Sequence, residues 1–226
     1  MKRFWKEVAV DSDRVVRLDD RPVRTPGRTP LALPTDALAA AVADEWRDVA
    51  DMLDPRRMPL TGLANAAIDR VAPDRARFAA GLSQYAESDL LCYRADTPRE
   101  LVERQAAAWD PLLDWAQTRY DVHFERVTGI MHRAQPDATL GRLSEAIASR
   151  DAFTLAALSP IVSITGTLIG ALALLEGAVD AGTLWAAAVL DEDWQAERWG
   201  EDDIATQART ARRRDYDAGV RFLGLL

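Results

Sequence analysis

The densest concentration of reactive side chains lies between Leu190 and Asp203, LDEDWQAERWGEDD, where seven carboxylates share fourteen positions with two of the chain's seven tryptophans. Clustered carboxylates can work as an acid and base pair, or can meet the guanidinium groups of a protein partner. Read as a helix, the segment places Asp191 one turn from Gln195 and Trp194 one turn from Arg198. Glu192 and Trp199, seven residues apart, also share a face. Trp194 and Trp199 are costly to expose, and tryptophan is enriched at protein interfaces, although burial is the simpler account of each ring alone. A carboxylate-lined aromatic patch suits an arginine-bearing protein partner better than a small substrate. Acid clusters are commonly plain solvated helix faces, and that reading stands beside the functional one.

The rest of the chain offers little catalytic chemistry. It has no G-x-G-x-x-G, G-x-x-x-x-G-K, H-E-x-x-H or G-x-S-x-G sequence, and Gly81-Leu82-Ser83-Gln84-Tyr85 lacks the second glycine of a nucleophile elbow. Lysine occurs only at Lys2 and Lys6, which removes Schiff-base and phosphate-loop chemistry from all later segments. Cys92 stands alone beside His123 and His132, too few soft ligands for a structural zinc site, and a single cysteine suits a reducing compartment. His132 reads as a surface side chain more readily than as a general base, since no orienting carboxylate is evident from the sequence. No cofactor is expected. An enzyme would have to use Asp191 or Glu192 with Asp89 or Asp110 from a neighbouring helix, and that is the alternative to a binding role.

The elements that must carry these residues change character along the 226-residue chain. Up to about residue 34, FWKEVAV, RVVRL, PVRT and PLAL read as strands of a small antiparallel sheet, with Asp19-Asp20 as a hairpin turn and Pro26-Gly27 as a type II turn. Beyond Thr35, a helix cap, the period becomes helical: Leu38, Val42, Trp46 and Val49 form a buried stripe, with Asp44, Glu45 and Arg47 toward solvent. Further helices are expected near residues 61–72, 74–89, 98–109, 111–121, 137–149, 161–175, 181–197 and 201–223. Thr97 should cap the third of these ahead of Pro98. Residues 122–135 suit a strand or an extended loop. The fold class is therefore α+β, with a small sheet-containing domain over 1–90 and a helical domain over 91–226.

Composition sets outer limits. At 48% hydrophobic and 28% charged residues the chain is globular, and its net charge of −8 repels phosphate backbones, so nucleic acid is excluded as a partner. The opening MKRFWKEVAV has no signal-peptide core, which points to a cytoplasmic protein. The uncharged stretch from Ala152 to Leu175 is long enough to span a bilayer, which leaves a membrane-associated structural protein as an alternative. Pro160, the glycines Gly166 and Gly170, and several hydroxyl residues make it read better as two short buried helices joined by a turn. The G-x-x-x-G step of Gly166 and Gly170 suits close helix packing.

Ordered motifs run through the whole chain: RFWKEV, LDDRPVRTP, PLALPT, DEW at Asp44–Trp46, MPLTGLANAAID at Met58–Asp69, SDLLCYRA at Ser88–Ala95, RQAAAWDPLLDW at Arg104–Trp115 and DEDWQAERWGED. Together they resemble the assembly chaperones of the ATP synthase F1 sector that handle its α subunit. The resemblance implies a non-enzymatic protein that shields the unassembled α subunit until its β partner arrives. It also implies a bacterial cytoplasmic member, because mitochondrial members carry a targeting extension before the RFWK-like motif. From the DE-x-x-Q segment it carries over Asp191, Glu192 and Gln195 as partner-binding residues, with Glu192 foremost, and it gives Trp46 a structural role. The family commonly has threonine where this chain has Ala66, a change that leaves a helix intact.

Overall fold

The computed structural model describes residues 2–129, 132–200 and 202–226. Among them the chain forms strands β1 (Val8–Val10), β2 (Val16–Leu18) and β3 (Arg21–Pro22), then helices α1 (Asp36–Arg47), α2 (Pro59–Ala66) and α3 (Arg75–Ser83). Strand β4 (Tyr93–Arg94), helix α4 (Arg99–Tyr120) and strand β5 (Val127–Thr128) follow. The remainder is helical: α5 (Asp137–Ala148), α6 (Ala152–Thr165), α7 (Leu168–Leu175), α8 (Ala181–Ala188), α9 (Leu190–Trp199) and α10 (Asp203–Leu223). This is the expected α+β arrangement. The division differs from a single cut at residue 90: one compact unit gathers Met1–Arg75, Arg150–Pro160 and Asp215–Leu226, and the other gathers Ala76–Ser149 and Ile161–Arg214.

In the first unit β1, β2 and β3 form an antiparallel sheet in that order, with Val10 opposite Val16 and Leu18 opposite Arg21. The Asp19-Asp20 hairpin is present, Asp19 taking a positive φ of 52°. Its carboxylate accepts hydrogen bonds from the N–H groups of Lys6 and Glu7 at 3.0 and 2.9 Å, and these donors hold its pKa below the ordinary value. The turn at Pro26-Gly27 is not type II, for the positive φ falls on Arg28 at 68°. Glycine serves here for close approach instead: a Cβ on Gly27 would stand 2.6 Å from Asp69 Oδ1, and Asp69 accepts from Gly27 N–H and Thr25 Oγ1, each at 2.7 Å.

Thr35 caps α1, accepting from Leu38 N–H at 3.1 Å, and the stripe of Leu38, Val42, Trp46 and Val49 is buried together with Trp5, Leu31, Ala157 and Phe222. Glu45 departs from the solvent position expected for it. Its carboxylate accepts from the N–H groups of Leu60 and Thr61 at 2.8 Å and from Thr61 Oγ1 at 2.7 Å, and so satisfies the free donors at the start of α2. Burial outweighs those donors and pushes the Glu45 carboxyl up.

The second unit corrects three expected boundaries. Residues 98–121 form one helix, not two, because Pro111 removes a single backbone donor while Trp109, Leu112, Leu113 and Ala116 keep a continuous buried stripe. Thr97 does not cap it; Pro98 occupies the cap position without a side-chain bond. The expected helix 181–197 is instead α8 and α9. Trp109 Nε1 donates to the Ala187 carbonyl at 2.8 Å, taking the acceptor that a continuous helix would offer to Asp191 N–H. Residues 122–135 contribute β5, which pairs in parallel with β4, Tyr93 opposite Val127. Ile130 and Met131 lie outside the described residues.

The apolar stretch 152–175 folds as α6 and α7, and no helix among the described residues is long and apolar enough to cross a membrane. The break falls at Gly166, whose φ is 68°, and not at Pro160, which lies within α6. Thr167 then caps α7, accepting from Gly170 N–H at 2.9 Å. Asp89, fully buried, accepts from Leu91 N–H at 3.1 Å and from Ile169 N–H at 3.0 Å, so one carboxylate ties the turn at 89–92 to the start of α7. A Cβ on Gly170 would collide with Leu184 of α8 and stand 2.8 Å from Thr167 Cγ2, which is the close packing expected of that glycine. Gly170→Val is accordingly expected to cost about 1–3 kcal/mol through overpacking, seen as a melting midpoint lowered by several degrees; an unchanged midpoint would show that α7 and α8 can separate without penalty.

Candidate partner-binding site

The acidic, aromatic segment is indeed a helix, α9, and it lies in the second unit with the first half of α10. Gly200, at φ 87°, ends α9, and Asp202 starts α10 by accepting from the N–H groups of Ile204 and Ala205 at 3.4 and 3.3 Å. Between the two helices opens a groove of about 930 Å³, lined by Trp185, Gln195, Ala196, Trp199, Ala205 and Ala208 among others. Trp199, one of the lining residues, is 79% exposed, and Ile204 on the first turn of α10 is 77% exposed. Few large apolar side chains among the described residues are left so open, and a protein interface is the ordinary reason for leaving them so.

The five residues expected to bind a partner separate into two sets. Trp194 is only 4% exposed, and the guanidinium groups of Arg104 and Arg198 cover its ring at 4.8 and 4.5 Å from the centroid. Those arginines are held in turn: Arg104 by Glu197 at 2.9 and 2.8 Å, Arg198 by Glu100 at 2.9 Å. Asp191 accepts from Gln105 Nε2 at 2.8 Å, and Gln105 is itself buried and bonded to Ala95 N–H. Trp194, buried, and Asp191, half-buried, therefore anchor α9 onto α4. Glu192, Gln195 and Trp199 face the groove.

Glu192 is not a free carboxylate. Both its oxygens accept from Arg212 of α10, at 2.9 and 2.6 Å, and the neighbouring Asp193 is paired with Arg209. Arg213 covers the Trp185 ring at 5.0 Å. Sequence reasoning missed Arg209 and Arg212. The available signal was the cluster of arginines at 209 and 212–214, which does not say which acid each cation will meet.

The remaining candidates for chemistry have other occupations. Asp110 pairs with Arg94 at 2.7 Å and Arg126 at 3.3 Å, while Asp89 is enclosed by backbone donors, so neither is offered to Asp191 or Glu192 as an acid and base partner. Ser83 Oγ donates to the Ala80 carbonyl at 2.9 Å. Burial pushes the Cys92 thiol up to about 12, which keeps it protonated and inert as a nucleophile. His132 Nδ1 meets the Tyr93 hydroxyl at 2.9 Å, with Glu87 at 3.9 Å from Nε2, all on the surface. No group of three or more His, Cys, Asp or Glu side chains suited to a metal occurs among the described residues.

Comparison with known proteins gives a consistent result. The family described as ATP12 chaperone protein matches residues 2–117. A crystal structure of Atp12 from Paracoccus denitrificans is 43% identical, with a TM-score of 0.93 over 99% of this chain and 97% of that one. A mutant of P. denitrificans Atp12p superposes with a TM-score of 0.95 at the same identity and coverage. The mitochondrial protein atp12 of Schizosaccharomyces pombe is 26% identical over 214 residues, 88% of this chain and 74% of the relative.

Proposed function

The chain belongs to the ATP12 chaperone family, the assembly chaperones of the ATP synthase F1 sector, and from that premise we propose that it holds the unassembled α subunit until a β subunit takes its place. The observation that carries this reading is the likeness in sequence and fold to Paracoccus Atp12 along 99% of the chain. The geometry agrees in kind. A holding chaperone needs an open surface with apolar anchors, and the groove between α9 and α10, lined by the exposed Trp199, has that form, with the exposed Ile204 on the first turn of α10. Its unit also carries most of the molecule's charge, with 20 acidic against 13 basic side chains, which favours approach of a cationic client face. The likeness to a bacterial protein supports action in a bacterial cytoplasm.

The test is co-expression of the tagged protein with α and β subunits. Retention of α in the absence of β, and its release when β is supplied, is the expected result. Retention of β alone, or of neither subunit, would overturn the reading.

Calorimetric titration with ATP is expected to show no saturable binding at micromolar concentration, since the chain has no glycine-rich phosphate cradle and no lysine after Lys6 to complete one. A fitted micromolar Kd would refute this.

A further inference from the structure

We propose that Glu192 and Asp193 are positioning residues that pin the first half of α10 beside α9, and that the groove they hold in shape takes an apolar, arginine- or lysine-flanked segment of the client. This inference rests on the chaperone reading above and assigns the roles within its binding surface.

From Asp203 to Ala211 no side chain of α10 is buried; Arg209 is half-buried and the others are exposed. A helix with so little apolar contact draws its hold from polar links. Those seen here are Glu192 with Arg212, Asp193 with Arg209, and Arg213 on the face of Trp185.

Glu192 already receives two hydrogen bonds from Arg212. A client arginine reaching that carboxylate would have to displace Arg212, exchanging one exposed ion pair for another, and such exchanges bring little net gain. Trp199 and Ile204 have no comparable cover. Burying them against a client removes apolar surface from water, which is a net source of affinity. A groove of about 930 Å³ is within the size of sites that enclose compact ligands, and it can admit side chains of a docking segment. Within the groove lining Glu192, Asp193 and Asp202 are matched by Arg209, Arg212 and Arg213, so the occupant's basic flanks would meet the acid excess of the unit outside the groove.

Three variants test the assignment: Glu192→Arg, the exchange Glu192→Arg with Arg212→Glu, and Ala208→Trp, which fills the groove without touching either ion pair. Each is measured for affinity toward purified α subunit and for the rate of tryptic cleavage after Arg209, a site that all three variants keep, which reports release of α10 independently of any client. Glu192→Arg is expected to weaken binding and to speed cleavage, each by about tenfold. The exchange should bring both back to within about threefold of the parent, because the pair is restored with its ends reversed. Ala208→Trp should lower affinity about tenfold at the parent's cleavage rate. Restored resistance to trypsin without restored binding would overturn the proposal by making the Glu192 carboxylate itself a client contact. Parent-like binding by Ala208→Trp would remove the groove as the surface, and unchanged cleavage in Glu192→Arg would remove the pinning role. Failure of the parent protein to bind α subunit would instead sink the chaperone reading, while the cleavage rates still decide whether Glu192 pins α10.

Discussion

Trp46→Arg is expected to leave the first unit unfolded. The indole is 8% exposed, lies on the buried stripe of α1, and packs edge-on against Trp5 with ring centroids 5.4 Å apart. Arg3 already reaches this neighbourhood, its guanidinium covering Trp5 and donating to the Val49 carbonyl at 2.6 Å. A second guanidinium would enter beside an existing cation, inside a core cluster composed of apolar side chains. A buried charge without a partner costs about 3–5 kcal/mol, a large share of the roughly 5–15 kcal/mol that holds a domain together. Trp46→Phe keeps most of the aromatic packing and should cost less. Circular dichroism melts of both variants check the ordering; a parent-like midpoint for Trp46→Arg would show that the α1 stripe is not the buried face.

The second large effect is expected at Asp89. Removing its side chain in Asp89→Ala strands the N–H groups of Leu91 and Ile169 in the interior. Each orphaned donor costs about 1–3 kcal/mol, so a loss on the order of 3–5 kcal/mol follows. The same carboxylate makes stability depend on pH. Desolvation outweighs the hydrogen bonds from Ile169, Thr167 and the other donors, and raises its pKa from 3.8 to about 6. Between those two values the folded protein binds a proton that the unfolded chain has released. The contribution of Asp89 is therefore greatest below pH 3.8 and declines as pH rises through about 6. Denaturant titrations should show the gap between parent and Asp89→Ala narrowing from pH 4.5 to pH 8. A gap that widens would mean that the carboxylate is stabilised as an anion.

How much of this was legible beforehand depends on whether the controlling contact is local. Thr35 and the α1 stripe and the Asp19-Asp20 hairpin follow from side chains close in sequence, and the sequence pattern announces them; the G-x-x-x-G step likewise marks Gly170 for close packing, though its neighbour Leu184 lies on another helix, α8. The break between α8 and α9 does not, because the indole that captures the Ala187 carbonyl comes from Trp109, 78 residues earlier. The same holds for Glu45, whose task of satisfying the start of α2 depends on a helix 15 and 16 residues away. At the proposed binding surface, residue types picked out α9, the helix that lines the groove. What they could not convey is ownership: Asp191 belongs to Gln105, Glu192 to Arg212, and Trp194 to two arginines, leaving Trp199 and Gln195 as the open positions.

The composition of the first unit also bears on how the protein is made. Its core needs Phe222, and Thr35, the residue that caps α1, donates through its hydroxyl to the Leu225 carbonyl at 2.5 Å. The sheet and α1 emerge early from the ribosome, yet their packing cannot close until residues some 190 positions later have been translated. Premature stop codons within the last dozen positions should thus be nearly as damaging as early ones. Throughout its own synthesis this chaperone presents an unfinished apolar surface of the kind that chaperones exist to cover.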